Sequence, residues 1–127
     1  MKYLLDTNII VEHLRGKRSI AASFLEKGST ISIITQAELY YGAYKSKKPK
    51  ENLVKIKQML EDLEIEIISL DEKIINNYGK LKAELEKKGK RLDEFDLLIA
   101  STAFSLKLIL ATRNIKHFQR VSRLQLA

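Results

Sequence analysis

With 127 residues and no cysteine, the chain is expected to form a single domain over residues 1–127, and a disulfide scaffold, thiol catalysis and cysteine-bound zinc are excluded. No apolar run approaches the ~20 residues a membrane helix needs, Asp6 and Glu12 interrupt any signal-peptide core, and one proline with five glycines leaves no linker, so a soluble cytoplasmic protein with no membrane partner is expected. Lysine and arginine outnumber the acids 23 to 16, a formal charge of +7 that favours polyanions such as nucleic acid, although solvated lysine-rich helix faces produce the same balance.

Tyr3-Leu4-Leu5 is a short apolar run that reads as a buried strand. After Asp6-Thr7-Asn8 the pattern turns helical, with Ile9, Ile10, His13 and Leu14 on one face and Gly16 as the stop. Ser19 is placed to cap a short helix to about Glu26, closed by Gly28. Thr30–Ile34 is β-branched and apolar, a second strand.

Thr35 then opens a helix carrying Leu39, Tyr40 and Ala43, which ends in the turn Ser46–Lys50. Leu53, Ile56, Met59 and Leu60 form a helical apolar stripe, and Ile65, Ile67 and Ile68 a third strand. Asp71 caps a long helix running to about Lys88, with Gly89 after it; another helix starts near Asp93 and carries Leu97, Ala100, Ser101 and Phe104. Leu108–Ala111 is a fourth strand, and Leu124–Leu126 a candidate edge strand. Strands separated by helices predict an α/β fold, a mostly parallel sheet of four to five strands with helices on both faces.

Ligands of open parallel sheets bind beyond the carboxyl ends of the strands. Asp6 directly follows the first strand, Glu38 lies in the first turn after the second, and Asp93 and Asp96 open the helix that feeds the fourth, which Thr112 and Asn114 follow. Acids distant in sequence therefore converge on one rim. Carboxylates are the hard ligands that Mg²⁺ and Mn²⁺ prefer, and a cation relieves their repulsion while activating water at a phosphodiester. One tension remains: the loop Gly89–Leu92 is short for a chain returning to that rim, so the long helix either lies across the sheet or breaks near Asn76–Gly79.

Structural readings stand beside the functional ones. Thr35–Glu38 matches a capping box, Asp93 is a good N-cap, and Asp96 suits the positive end of a helix. Asp6 has a weaker excuse, a turn-closing aspartate, because a carboxylate after a buried strand needs partners. His13 reads as packed or half-exposed, and His117, amid Arg113, Lys116 and Arg120, as a phosphate contact; nothing places the two rings together for metal-free acid–base catalysis. Tyr40, Tyr41 and Tyr44 form a stripe for stacking, packing or a partner protein.

Leu4–Asn8, Gln36–Gly42, Asp93–Ala100 and Ala111–Phe118 together resemble the successive motifs of PIN-domain proteins, and within them the VapC toxins of toxin–antitoxin pairs. The resemblance spans nearly the whole chain. It implies a PIN-like three-layer domain, a Mg²⁺- or Mn²⁺-dependent endoribonuclease acting on RNA, a cognate VapB-like antitoxin and a homodimer. By position, Asp6, Glu38 and Asp96 match the family's acidic metal site, Asn8 the polar residue that orders it, and Thr112 the hydroxyl beside it. Many members carry a fourth acid where this chain has Asn114, which points to a single-metal site unless Asp93 compensates. Arg15, Lys17 and Arg113 are candidates for flanking phosphates. The alternatives are a non-catalytic PIN-like module that docks RNA or protein, and a phosphate-transfer enzyme, for which Asn8 stands where a second aspartate belongs.

Overall fold

Four short parallel strands carry the molecule in the computed structural model, which describes residues 2–127. They are β1 (Tyr3–Leu5), β2 (Ser29–Ser32), β3 (Glu66–Ile68) and β4 (Ile109–Ala111), in the order β3-β2-β1-β4. The helices are α1 (Thr7–Leu14), α2 (Ala22–Glu26), α3 (Ile33–Lys45), α4 (Pro49–Asp62), α5 (Glu72–Lys87), α6 (Glu94–Leu106) and the single turn α7 (Ile115–Phe118).

The strand pleat sorts the core into two layers. Tyr3, Leu5, Ile31 and Ala111 face Ile9, Ile10, Leu39, Ala43, Ile56 and Leu60 from α1, α3 and α4. Leu4 and Leu110, one residue out of phase, face Leu81, Leu85, Leu97, Ala100 and Phe118 from α5, α6 and α7. Both sheet faces are thus covered, as parallel pairing requires and as the apolar strands predict. Tyr3 pairs with Ser29 and Ile109, and Leu5 with Ala111, so β1 and β4 end side by side.

Several boundaries differ from the sequence reading. The second strand stops at Ser32, because its hydroxyl accepts from Ile34 N (3.0 Å) and starts α3 at Ile33. Two residues expected in the strand therefore belong to the helix. Ser19 does not cap the second helix; Ala21 precedes it without a side-chain bond. Pro49, expected in a turn, opens α4, where its missing N–H costs nothing. Leu108 immediately precedes β4 and is not part of it, and the expected Leu124–Leu126 edge strand is one parallel bridge, Leu110 with Leu126.

The long helix does not break at Asn76–Gly79. Asp71 Oδ1 caps it at Ile74 N (2.9 Å), and Asn77 Nδ2 donates to Ser105 Oγ (2.8 Å), fastening α5 against α6. Gly89, in the left-handed region at φ 65°, closes it: Lys90 N donates to Leu85 O (2.8 Å) and Gly89 N to Glu86 O (3.1 Å), a Schellman pair. That sharp stop lets Lys90–Asp93 deliver α6 to the rim.

Candidate active site

Asp6 closes β1 and opens α1. Its backbone N–H donates to Ala111 O (2.9 Å), continuing the pairing of β1 with β4 by one residue and fixing the carboxylate beyond both strand ends. The residue is only 5% exposed. A buried carboxylate is costly without donors, and two are present: Thr7 N to Oδ1 (2.9 Å) and Thr112 Oγ1 to Oδ2 (2.8 Å). Burial raises the Asp6 carboxyl above its usual range, and the bonds from Thr112 and Thr7 oppose that rise. The Thr112 hydroxyl is itself oriented, because it accepts from Asn114 N (2.9 Å).

Glu38 lies in the second turn of α3, since the helix begins earlier than expected, and no capping box forms. Its Oε1 instead accepts from Thr7 Oγ1 at 2.6 Å, a short charge-assisted bond. The buried Thr35, expected as a cap, has its Oγ1 3.0 Å from Thr7 Oγ1. One hydroxyl has one proton, so Thr7 donates to Glu38 and accepts from Thr35. Thr7 therefore ties α1 to α3 at the site.

Asp96 sits in the first turn of α6. Its Oδ2 is 3.0 Å from His117 Nε2, on α7. Burial raises the Asp96 carboxyl most, followed by the charge of Asp6; His117 opposes the rise, and Asp93 and Glu38 add to it. Four carboxylates thus share one field. Asp93 occupies the N-cap position of α6, but its exposed side chain makes no capping bond, so its structural excuse fails and it faces solvent beside the others.

The remaining candidates divide. Asn8 is exposed, and no hydrogen bond joins its side chain to the acids among the described residues; Thr7 does the ordering expected of it. Asn114 is exposed and acts through its backbone N–H. Arg15 and Lys17 are exposed at the end of α1, whereas Arg113 Nε donates to Glu12 Oε1 (2.7 Å). That bond holds the Glu12 carboxyl below its usual range. His13 is structural: Nδ1 accepts from Ile20 N (3.0 Å). Tyr40 is half-buried, while Tyr41 and Tyr44 are 65% and 66% exposed. A groove of about 330 Å³ between α1, α3 and α4 opens beside Glu38 and is lined by Val11, Leu14, Arg15, Leu39 and Ile56 among others.

Thr7 and the pairing of His117 with Asp96 escaped the sequence reading. Position one residue after a rim aspartate was a usable signal for Thr7. The one-turn α7 has no periodicity to read, and the basic stretch around His117 suggested a phosphate contact, whereas its ring meets Asp96.

The donor chemistry suits a hard divalent cation: oxygen ligands only, and repulsion that a dication would remove. The carboxylates are not drawn into a closed cage. Among the described residues, no three aspartate, glutamate or histidine groups stand close enough together to wrap one ion. Each acid of the trio is instead held from outside by Thr112, Thr7 or His117. The set fits an open site in which some ligands act through water.

Fold and site together define a class: a small α/β protein whose carboxylates line the rim beyond a parallel sheet. The PIN domain family model matches residues 3–124. The chain is 39% identical to "Ribonuclease VapC2" of Haemophilus influenzae over 98% of its own length and 96% of that protein's. It is 36% identical to the "tRNA(fMet)-specific endonuclease VapC" of Shigella flexneri over 98% and 96%. VapBC2 from Rickettsia felis, solved bound to a DNA fragment from their promoter, superposes with a TM-score of 0.90 at 39% identity, covering 100% of this chain and 98% of that one. The chain belongs to the PIN-domain family, among its VapC members.

Proposed function

We propose that the protein is an endoribonuclease that hydrolyses RNA phosphodiester bonds with a bound Mg²⁺ or Mn²⁺, and that it is the toxin of a VapBC-like pair neutralised by a cognate VapB-like antitoxin. The observation that carries the reading is the convergence of Asp6, Glu38, Asp93 and Asp96 in one field, with Asp6 buried and bonded on both oxygens. The names of its relatives agree with it.

Asp6 and Asp96 would hold the cation through their carboxylates, with Glu38 beside them at the rim. When bound, the cation lowers the pKa of a ligated water and offsets charge on the phosphate. Thr7 engages Glu38 Oε1, which leaves Oε2 to take the proton from the attacking water. Thr112 and His117 keep Asp6 and Asp96 in place while charge builds at phosphorus. Exposed Arg15 and Lys17 hold flanking phosphates, and tRNA is the first substrate class to try, given the activity named for the Shigella flexneri relative.

The apolar groove beside Glu38, with Arg15 at its edge, is suited to an antitoxin segment. A non-catalytic docking module is the second reading, favoured by Asn114, an exposed neutral amide after β4 whose one bond at the site is made by its backbone N–H. Expression of the wild type against Asp96→Asn decides between them. The wild type should arrest growth and create new RNA 5′ ends; a wild type that does neither would sink the toxin reading, and equal toxicity of the two would sink the site.

A further inference from the structure

The segment Thr112–Phe118 touches both metal-site aspartates. At its start, Thr112 Oγ1 donates to Asp6 Oδ2; one short turn later, His117 Nε2 meets Asp96 Oδ2 at 3.0 Å. Two anchors fix the segment: Thr112 Oγ1 accepts from Asn114 N, and Phe118 is fully buried against the second core layer. The Phe118 ring meets His117 edge-on, at 84° and 5.9 Å between centroids, which restricts the imidazole. Asn114, between the anchors, presents no charge to the rim.

We propose that His117 is a positioning residue, which holds Asp96 Oδ2 and so leaves Oδ1 free for the cation that Asp6 and Asp96 would hold. The Nε2–H required is present in both the neutral Nε2–H tautomer and the imidazolium, so the bond does not depend on the ring's charge. Without it Asp96, repelled by Asp6, Asp93 and Glu38, swings toward solvent and the cation loses one preorganised ligand. Partners of this kind, one bond removed from the metal, change metal affinity by about 10–100-fold when removed.

The inference rests on the metal-dependent reading, and Mn²⁺ binding followed by electron paramagnetic resonance tests it without RNA turnover. His117→Ala should weaken Mn²⁺ binding by about tenfold. His117→Gln, whose amide N–H reaches the same place, should stay within about threefold of wild type. Thermal melting of the glutamine variant checks that α7 remains docked, since Phe118 is untouched. Wild-type affinity in His117→Ala would overturn the inference alone, as would a glutamine variant no better than alanine. Imidazole nitrogen coupled directly to Mn²⁺ in the electron spin-echo spectrum would do the same, by making His117 a ligand. A wild type that binds no Mn²⁺ overturns the metal-dependent reading and this inference with it.

Discussion

Thr112→Val isolates what the hydroxyl does for Asp6. The two side chains have nearly the same shape, and Thr112 is 4% exposed, so the exchange leaves packing intact and removes one donor from Asp6 Oδ2. A hydrogen bond to a buried charged group contributes about 1.5–3 kcal/mol, and Asn114 N–H, on an exposed residue, regains water at little cost. At neutral pH the variant should lose about 2 kcal/mol, which for a chain of this length lowers Tm by roughly 6–8 °C. The loss depends on pH in a defined direction. It is full where Asp6 is charged, above its raised pKa, and falls to about half as pH drops through that value, because a neutral bond is worth about 1 kcal/mol. Thr112→Ser keeps the hydroxyl and removes a methyl, so it should lose about 1 kcal/mol at every pH. Melting of the three proteins across the acid range, in EDTA, gives the answer. A valine variant as stable as wild type at neutral pH, or one whose loss is the same at all pH values, would refute the reasoning.

Other outcomes follow from the same geometry. Asp96→Asn should raise the Tm of the metal-free protein at neutral pH, since burial and Asp6 raise the folded carboxyl; the wild type's advantage is complete below the unfolded value of ~3.9 and is lost as pH rises through the folded one. Added Mg²⁺ should raise Tm in the wild type and not in Asp96→Asn, by thermal shift. Thr7→Val and Glu38→Gln should couple by about 1–2 kcal/mol in a double-mutant cycle of denaturant unfolding, because they share one bond. Glu64→Gly and Lys107→Gly relieve left-handed backbones at φ 54° and 56° at exposed helix ends. Each should gain about 0.5–1 kcal/mol after the unfolded-state entropy is subtracted, read as a higher urea midpoint.

What was legible in the sequence follows from which interactions are local. The strands were visible because both faces are covered, so Tyr3–Leu5 and Ile109–Ala111 are apolar throughout. The rim position of Asp6 followed from the end of the first strand, and that of Asp96 from the start of the helix that feeds the fourth. The start of α3 was not legible, since Ile33 and Ile34 prefer strands and one serine hydroxyl overrides them. Glu38 was open to misreading for the same reason: with the helix start moved by two residues, it makes no cap and instead accepts from Thr7 at the rim. The partners of Thr7 and His117 lie 31 and 21 residues away in the chain, so no local pattern encodes which acid each one holds.

The central claim is that this acidic rim cleaves RNA with a divalent cation. Its most direct test is a single-turnover cleavage assay on end-labelled tRNA with the purified wild type, Asp6→Asn and Asp96→Asn, each with Mg²⁺ or Mn²⁺ and with EDTA. Discrete products from the wild type with metal, and none from either variant or with EDTA, is the predicted result. Cleavage that persists in EDTA, or in both aspartate variants, would contradict it.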